Sequence, residues 1–169
     1  SAKVTIDKYV TTHDAGNLLH PEMVNGQIQG AFAQAIGASF YEELKYADNG
    51  EFLSGTFADY LVPTANEIPD TCILHINTPS PFTPLGSKGV GEGNSMSTPV
   101  CIANAISDAI GQDEIILPMT PPKLLNLISE DEDLPKNLNL ELKNKEPLIP
   151  PKKLQEKADN NLWIYIKNK

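Results

Sequence analysis

Past Ile128 the chain loses the means to build a core, and this confines the folded unit to the residues before it. Glu130-Asp131-Glu132-Asp133 is followed by Pro135, Pro147, Pro150 and Pro151 in a Lys-, Asn- and Leu-rich context. Prolines at that density remove backbone donors and interrupt helix and sheet alike, and too little apolar surface remains to offset the entropy of ordering. The charges divide at the same place: residues 1 to 128 hold 14 acidic and 5 basic side chains, residues 129 to 169 hold 8 of each. Two units result, a domain segment over 1–128 and an extended Pro/Lys-rich tail over 129–169. The tail is expected to pack on its own domain or on a partner subunit, with Leu162-Trp163-Ile164-Tyr165-Ile166 as an anchoring strand.

Charge narrows the range of partners. The net charge is −9 and the chain contains no arginine, so a bidentate guanidinium clamp on phosphate is unavailable and an anion must be held by Lys or by backbone N–H groups. Nucleic acid is excluded on the same ground. No apolar run approaches the roughly 20 residues of a membrane span, and the N-terminus lacks the pattern of a secretory signal. Cys72 and Cys101 sit in apolar runs and read as buried, reduced thiols, which points to the cytoplasm. His13, His20 and His75 lack metal-ligand spacing, so no protein-ligated metal is expected. The immediate entry into Lys3-Val4-Thr5-Ile6 reads as a segment that begins inside a larger architecture.

Periodicity supplies the elements. Residues 3 to 12 read as one strand, ended by the turn cluster His13-Asp14-Ala15-Gly16-Asn17. A helix starting near Pro21-Glu22 carries the apolar stripe Ile28, Phe32, Ala35, Ile36 and Phe40, with Gly30, Ala33, Gly37 and Ala38 as a second, small-residue face, and Glu42-Glu43-Leu44 lead to its stop at Asn49-Gly50. Strands are predicted over 51–61 and 71–78. A second helix is predicted from Ser97, with Thr98-Pro99 as cap and first turn, a stripe of Val100, Ala103, Ile106 and Ile110, and a stop at Gly111. Ile115-Ile116-Leu117 reads as a short strand, and Thr120-Pro121-Pro122 opens a last helix with Leu124, Leu125 and Ile128. The predicted fold class is α+β, a mixed sheet with two main helices on one face and an extended C-terminal tail.

Between strand 71–78 and the second helix lies Gly86-Ser87-Lys88-Gly89-Val90-Gly91-Glu92-Gly93, four glycines in eight residues around one carboxylate. Such a loop leaves amide N–H groups uncovered and isolates Glu92 as a candidate base. Read alone, it is an ordinary strand-to-helix connection or a holder for catalysis. It is not a Walker loop, because Lys88 precedes the glycines, and the spacing of Gly89, Gly91 and Gly93 misses the dinucleotide fingerprint by one residue. Gln27, next to Gly26 near the start of the first helix, is either a solvated polar residue or an amide that holds a polar ligand beside free N–H groups.

Taken together and in order, these segments resemble a known family. His13-Asp14-Ala15-Gly16, Asn25 to Gly37, Tyr41-Glu42-Glu43, Thr78-Pro79-Ser80-Pro81, Pro84 to Glu92 and Leu117 to Pro122 are similar to the C-terminal part of the molybdopterin-binding large subunit of xanthine dehydrogenase, aldehyde oxidase and carbon monoxide dehydrogenase. The likeness covers about residues 4 to 128. It implies that Glu92 is the active-site base, that Gln27 hydrogen-bonds the cofactor, and that Gly26, Lys88, Gly89, Val90 and Gly91 complete the cofactor contacts. It implies a molybdenum-pterin cofactor shared with an N-terminal portion that this chain lacks, and iron–sulfur and FAD groups only on partner subunits. The implied partners are the remainder of the large subunit, a flavin subunit and an iron–sulfur subunit, in a hetero-oligomer. The segment alone is expected to be inactive. A carboxylate in a closed, poorly hydrated pocket is a stronger proton acceptor, which suits Glu92 to the implied role. The alternative is a non-catalytic interaction module that keeps the fold. Substrate identity and any copper lie with the remainder of the large subunit.

Overall fold

The computed structural model describes residues 2–130 and 164–168. In chain order the elements are β1 (Ala2–Ile6), β2 (Tyr9–His13), α1 (Pro21–Phe40), β3 (Thr71–His75), α2 (Gly93–Ile110), α3 (Pro121–Glu130) and β4 (Ile164–Asn168). The architecture is α+β. Its mixed sheet takes the form of two separate ladders: β1 pairs antiparallel with β4, from Ala2↔Asn168 to Ile6↔Ile164, and β2 pairs parallel with β3, from Tyr9↔Thr71 to His13↔His75. The single strand expected over 3–12 is broken at Asp7-Lys8, where the chain leaves one ladder for the other. Of the anchoring strand expected in the tail, Ile164–Asn168 lies on β1, whereas residues 131–163, with Leu162 and Trp163, fall outside the described residues.

Helix α1 starts where the sequence marks it. His20 is the cap, its Nδ1 accepting from the Met23 amide at 3.2 Å, and Pro21 comes next with a fixed φ and no donor to waste. Ile28, Phe32, Ala35 and Ile36 are buried as the stripe predicts. The helix ends at Phe40, well before the stop expected at Asn49-Gly50, because the Tyr41 and Glu42 amides both turn back to the Gly37 carbonyl at 2.9 Å.

Helix α2 differs more from expectation. It begins at Gly93, so Pro99 lies inside it and Thr98 is not its cap. The inward face is Asn94, Thr98, Ile102, Ile106, Ala109 and Ile110, spaced by three and four, while Val100 is 60% exposed. Two polar residues therefore occupy inward positions that a purely apolar stripe would not assign to them. Gly111 closes the helix in a left-handed cap, as its position predicts.

The core lies where α1 and α2 pack together, with Phe32, Ile36, Ile102, Ile106, Ile110 and Leu124 at its centre. Each such side chain contributes about 1.5–3 kcal/mol through burial. Tyr9 stacks on Phe32 with ring centroids 4.3 Å apart and so joins β2 to this core.

Two predicted strands do not form. Residues 51–61 contribute one isolated bridge, Tyr46↔Phe52, and then turn at Thr56–Asp59, since among the described residues no neighbouring strand offers them a ladder. Ile115-Ile116-Leu117 runs as a strap whose Ile115 and Leu117 pack on the core, held at its end by the Met119 amide on the Ser39 carbonyl at 2.7 Å. None of the described helices is long and apolar enough to cross a membrane.

Candidate functional site

Parallel strands deliver loops to one common edge, and ligands in such arrangements bind beyond the carboxyl ends of the strands. Here β2 and β3 end in register at His13 and His75. The chain leaves β2 through the segment Asp14 to Asn17, and leaves β3 toward the glycine loop and then α2. Both histidines find an asparagine at a helix: Nε2 of His75 lies 2.7 Å from Oδ1 of Asn25, and Nε2 of His13 lies 3.0 Å from Oδ1 of Asn94. An amide oxygen only accepts, so each ring nitrogen donates.

The base of the glycine loop is fastened to the end of β2. The Lys88 amide donates to the Ala15 carbonyl at 2.9 Å, and the Asn17 amide to the Gly86 carbonyl at 3.1 Å. Asn17 Nδ2 also reaches the Leu85 carbonyl at 2.9 Å. Gly86 has φ +69, and a Cβ there would lie 2.7 Å from Asn17 Nδ2, so both conformation and space require glycine.

Asp14 is the electrostatic centre of this brace. Its carboxylate accepts from the Thr78 hydroxyl, from Lys88 Nζ at 2.9 Å and from the Gly16 amide at 2.9 Å. The Thr78 hydroxyl foremost, then the Lys88 ammonium and the Gly16 N–H, hold the Asp14 carboxyl well below the usual carboxylate range. Lys88, expected among the cofactor contacts, thus has its charge committed to Asp14, with a further bond to the Thr78 hydroxyl at 2.6 Å.

The apex of the loop is different. Among the described residues, the amides of Gly89, Val90, Gly91 and Glu92 donate to nothing, and added Cβ atoms at Gly89 and Gly91 would meet open space. The run leads directly into the start of α2, whose Ser95 amide is already bonded to the Glu92 carbonyl. Gln27 and the loop, 64 residues apart in sequence, are joined directly: Gln27 Nε2 donates to the Gly91 carbonyl at 3.0 Å.

Gln27 sits nearly two turns into α1, so the free first-turn N–H groups expected beside it lie elsewhere. Together with Lys88, Val90, Gly91, Leu19 and Met23 it lines an open groove between α1 and the loop. Gly26 does not join them, and lines a second groove with Gly30, Ala33 and residues 62–65 and 68–70.

Glu92 is the residue before α2. Its carbonyl accepts from the Ser95 amide at 3.0 Å, and its side chain makes no cap bond and is exposed. The closed pocket expected around it is not formed within this segment, whose described residues supply only one side. No three His, Cys, Asp or Glu side chains converge on a metal position among the described residues. The donors that the site offers to a ligand are backbone amides and the Gln27 amide.

Sequence reasoning missed Asn94. It is fully buried, accepts on Oδ1 from Thr11 Oγ1 at 2.9 Å as well as from His13, and donates through Nδ2 to the Ile28 carbonyl at 3.2 Å. One turn on, Thr98 meets the Tyr9 hydroxyl at 2.7 Å. Polar residues at Tyr9, Thr11 and His13, alternate positions of one strand face, were the available signal: a buried polar strand face requires polar partners opposite.

Comparisons with known proteins identify the family. Residues 1–69 match the family model described as a molybdopterin cofactor-binding domain. The chain is 38% identical over 125 residues to the nicotine 6-hydroxylase large subunit of Paenarthrobacter nicotinovorans, covering 72% of this chain and 15% of that one. It is 33% identical over 102 residues to the carbon monoxide dehydrogenase large chain of Afipia carboxidovorans, covering 60% of this chain and 13% of that one. Among solved structures, quinoline 2-oxidoreductase from Pseudomonas putida 86 superposes with a TM-score of 0.70 at 38% identity, over 73% of this chain and 16% of that chain. The chain thus spans about 15% of the length of the first of these relatives. It belongs to the family of xanthine dehydrogenase, aldehyde oxidase and carbon monoxide dehydrogenase, and is a segment of the large subunit that binds the molybdenum-pterin cofactor.

Proposed function

We propose that this segment carries the proton-accepting side of a molybdenum hydroxylase active site, in an enzyme that hydroxylates an aldehyde or an N-heterocycle with oxygen from water, or oxidises carbon monoxide, and that it is inactive alone. The observation that carries the proposal is the run of undonated amides from Gly89 to Glu92, held open beside one unpartnered carboxylate. A pterin with anionic and carbonyl oxygens suits that donor set, since uncovered N–H groups at a helix start favour negative charge. Gly89, Val90 and Gly91 would hold it through their backbone, and Gln27 through its amide. When bound, the cofactor supplies the two-electron redox chemistry.

The chain's own residues do the rest. Glu92 takes a proton from water on a carboxylate oxygen, and its exposure on this segment leaves that oxygen free to receive it. Gln27, by holding the Gly91 carbonyl, keeps the loop apex turned toward α1. The Asp14–Lys88–Thr78 brace fixes the loop base and so sets where Glu92 stands. The remainder of the large subunit closes the pocket and excludes water, and flavin and iron–sulfur subunits carry the electrons away.

Metal and pterin analysis of the complex purified from its source tests this directly. The expected result is roughly stoichiometric molybdenum and pterin with the chain present, because a bound cofactor is needed for redox chemistry. A complex containing this chain but neither molybdenum nor pterin would establish a non-catalytic interaction module instead.

A further inference from the structure

We propose that Asn94 is a positioning residue for Glu92, acting with His13 to lock the two-residue step Glu92-Gly93 between β2 and α1. The inference rests on Glu92 being the base. Three observations converge on that step. Adjacent residues of α1 hold its two sides: Gln27 donates to the Gly91 carbonyl at 3.0 Å, and the Ile28 carbonyl accepts from Asn94 Nδ2 at 3.2 Å. From the opposite direction, β2 supplies Thr11 and His13 to the single oxygen of the same amide, at 2.9 and 3.0 Å. Between these anchors the His13 ring lies directly on Gly93, where a Cβ would stand 2.6 Å from Cε1 and 3.0 Å from Nδ1.

The consequence is mechanical. Asn94 is fully buried and uses three of its four hydrogen-bonding positions, so it cannot rotate without stranding a buried polar group. The main chain of Glu92 is pinned one residue before it and two residues after it. The Glu92 side chain, which makes no cap bond, keeps only its own torsions. A reacting carboxylate must be held to within about half an ångström, and a displacement of about 1 Å can cost about a hundredfold in rate. A buried asparagine that ties two helices and a strand to the residues flanking the carboxylate supplies that fixity.

The test uses the complete molybdenum-containing complex with Asn94→Ala, Gly93→Ala, His13→Ala and the double variant Gly93→Ala/His13→Ala. Steady-state kcat is expressed per bound molybdenum, and hydrogen–deuterium exchange is followed over residues 88–95 in cofactor-free protein. Asn94→Ala is expected to lower kcat per molybdenum about tenfold or more while KM changes less than about twofold, and to speed exchange of the loop amides. Gly93→Ala should do the same by displacing His13, and in the His13→Ala background it should add nothing further. Should Asn94→Ala fail to fold, the Gly93 and His13 pair decides the matter.

Unchanged kcat per molybdenum with altered metal content alone, or full additivity of the Gly93 and His13 substitutions, would overturn the proposal. Glu92→Gln is measured alongside. If it keeps turnover, the base assignment fails, and if it abolishes turnover while the Asn94 and Gly93 variants do not lower kcat, the positioning role fails.

Discussion

The glycines of the Gly86–Gly93 loop do two different jobs, and alanine substitutions should separate them. At Gly86 the φ is +69, which costs alanine about 1–2 kcal/mol relative to glycine. A Cβ there would also sit 2.7 Å from Asn17 Nδ2 and 3.0 Å from Pro79 Cβ. Moving Asn17 breaks its bond to the Leu85 carbonyl, a further loss of about 1 kcal/mol. Against this, the unfolded chain becomes stiffer, which returns about 0.5 kcal/mol, leaving Gly86→Ala destabilised by about 2 kcal/mol. At Gly91 the backbone is not left-handed and an added Cβ meets nothing within 4 Å. Only the unfolded-state term remains there, so Gly91→Ala should be neutral or more stable by about 0.5 kcal/mol.

Urea unfolding of the 169-residue chain reads the difference. With a slope near 2 kcal/mol per molar, the Gly86→Ala midpoint should fall by about 1 M and that of Gly91→Ala should hold or rise slightly. On the cofactor contacts proposed above, the order reverses in the complete enzyme: a methyl group at Gly91 would stand where the cofactor approaches, and Gly91→Ala should lose molybdenum. Equal midpoint shifts in the two variants, or a loss below about 0.5 kcal/mol for Gly86→Ala, would refute the division of roles.

Two further outcomes concern buried and charged groups. Tyr9→Phe leaves the buried Thr98 hydroxyl without its partner at 2.7 Å and should cost about 1–3 kcal/mol in urea, whereas the double variant Tyr9→Phe/Thr98→Val should cost less than the sum of the singles. Burial raises the Tyr9 phenol above its ordinary value, so its contribution to stability is complete below about pH 10 and is lost as pH climbs through the folded value, which an ultraviolet titration would follow. Asp14 has the opposite sign. Its folded value is lowered by Thr78, Lys88 and Gly16, so its stabilisation is complete above the unfolded value near 4 and disappears as pH falls through the folded one. Asp14→Asn should flatten the acid limb of a plot of urea midpoint against pH, and an unchanged limb would show that the brace contributes nothing.

What the sequence disclosed and what it hid divide along the range of the interactions. The start of helix α1 and its Ile28-Phe32-Ile36 stripe are written locally, whereas its end at Phe40 is not, because the turn of the Tyr41 and Glu42 amides onto the Gly37 carbonyl leaves no mark in the local pattern. The start of α2 is not, because Gly93-Asn94-Ser95 reads as loop until β2 brings Thr11 and His13 over Asn94. Likewise residues 51–61 have strand composition, but a strand exists only where another lies beside it. In the site, the loop and Gln27 were recognisable as motifs, while their direct bond spans 64 residues and no local pattern encodes it. Lys88 shows the same limit: a lysine in a glycine-rich loop suggests an anion from outside, yet here its anion is Asp14, delivered by the end of β2.

The central claim is that this segment places the base of a molybdenum hydroxylase at Glu92. The direct measurement is turnover and molybdenum content of the complete complex carrying Glu92→Gln, a substitution that keeps size and polarity while removing the proton acceptor. Turnover should fall by at least about a hundredfold, the scale of losing a general base, while molybdenum content stays at the level of the unsubstituted complex. A Glu92→Gln complex that turns over at an undiminished rate would contradict the account.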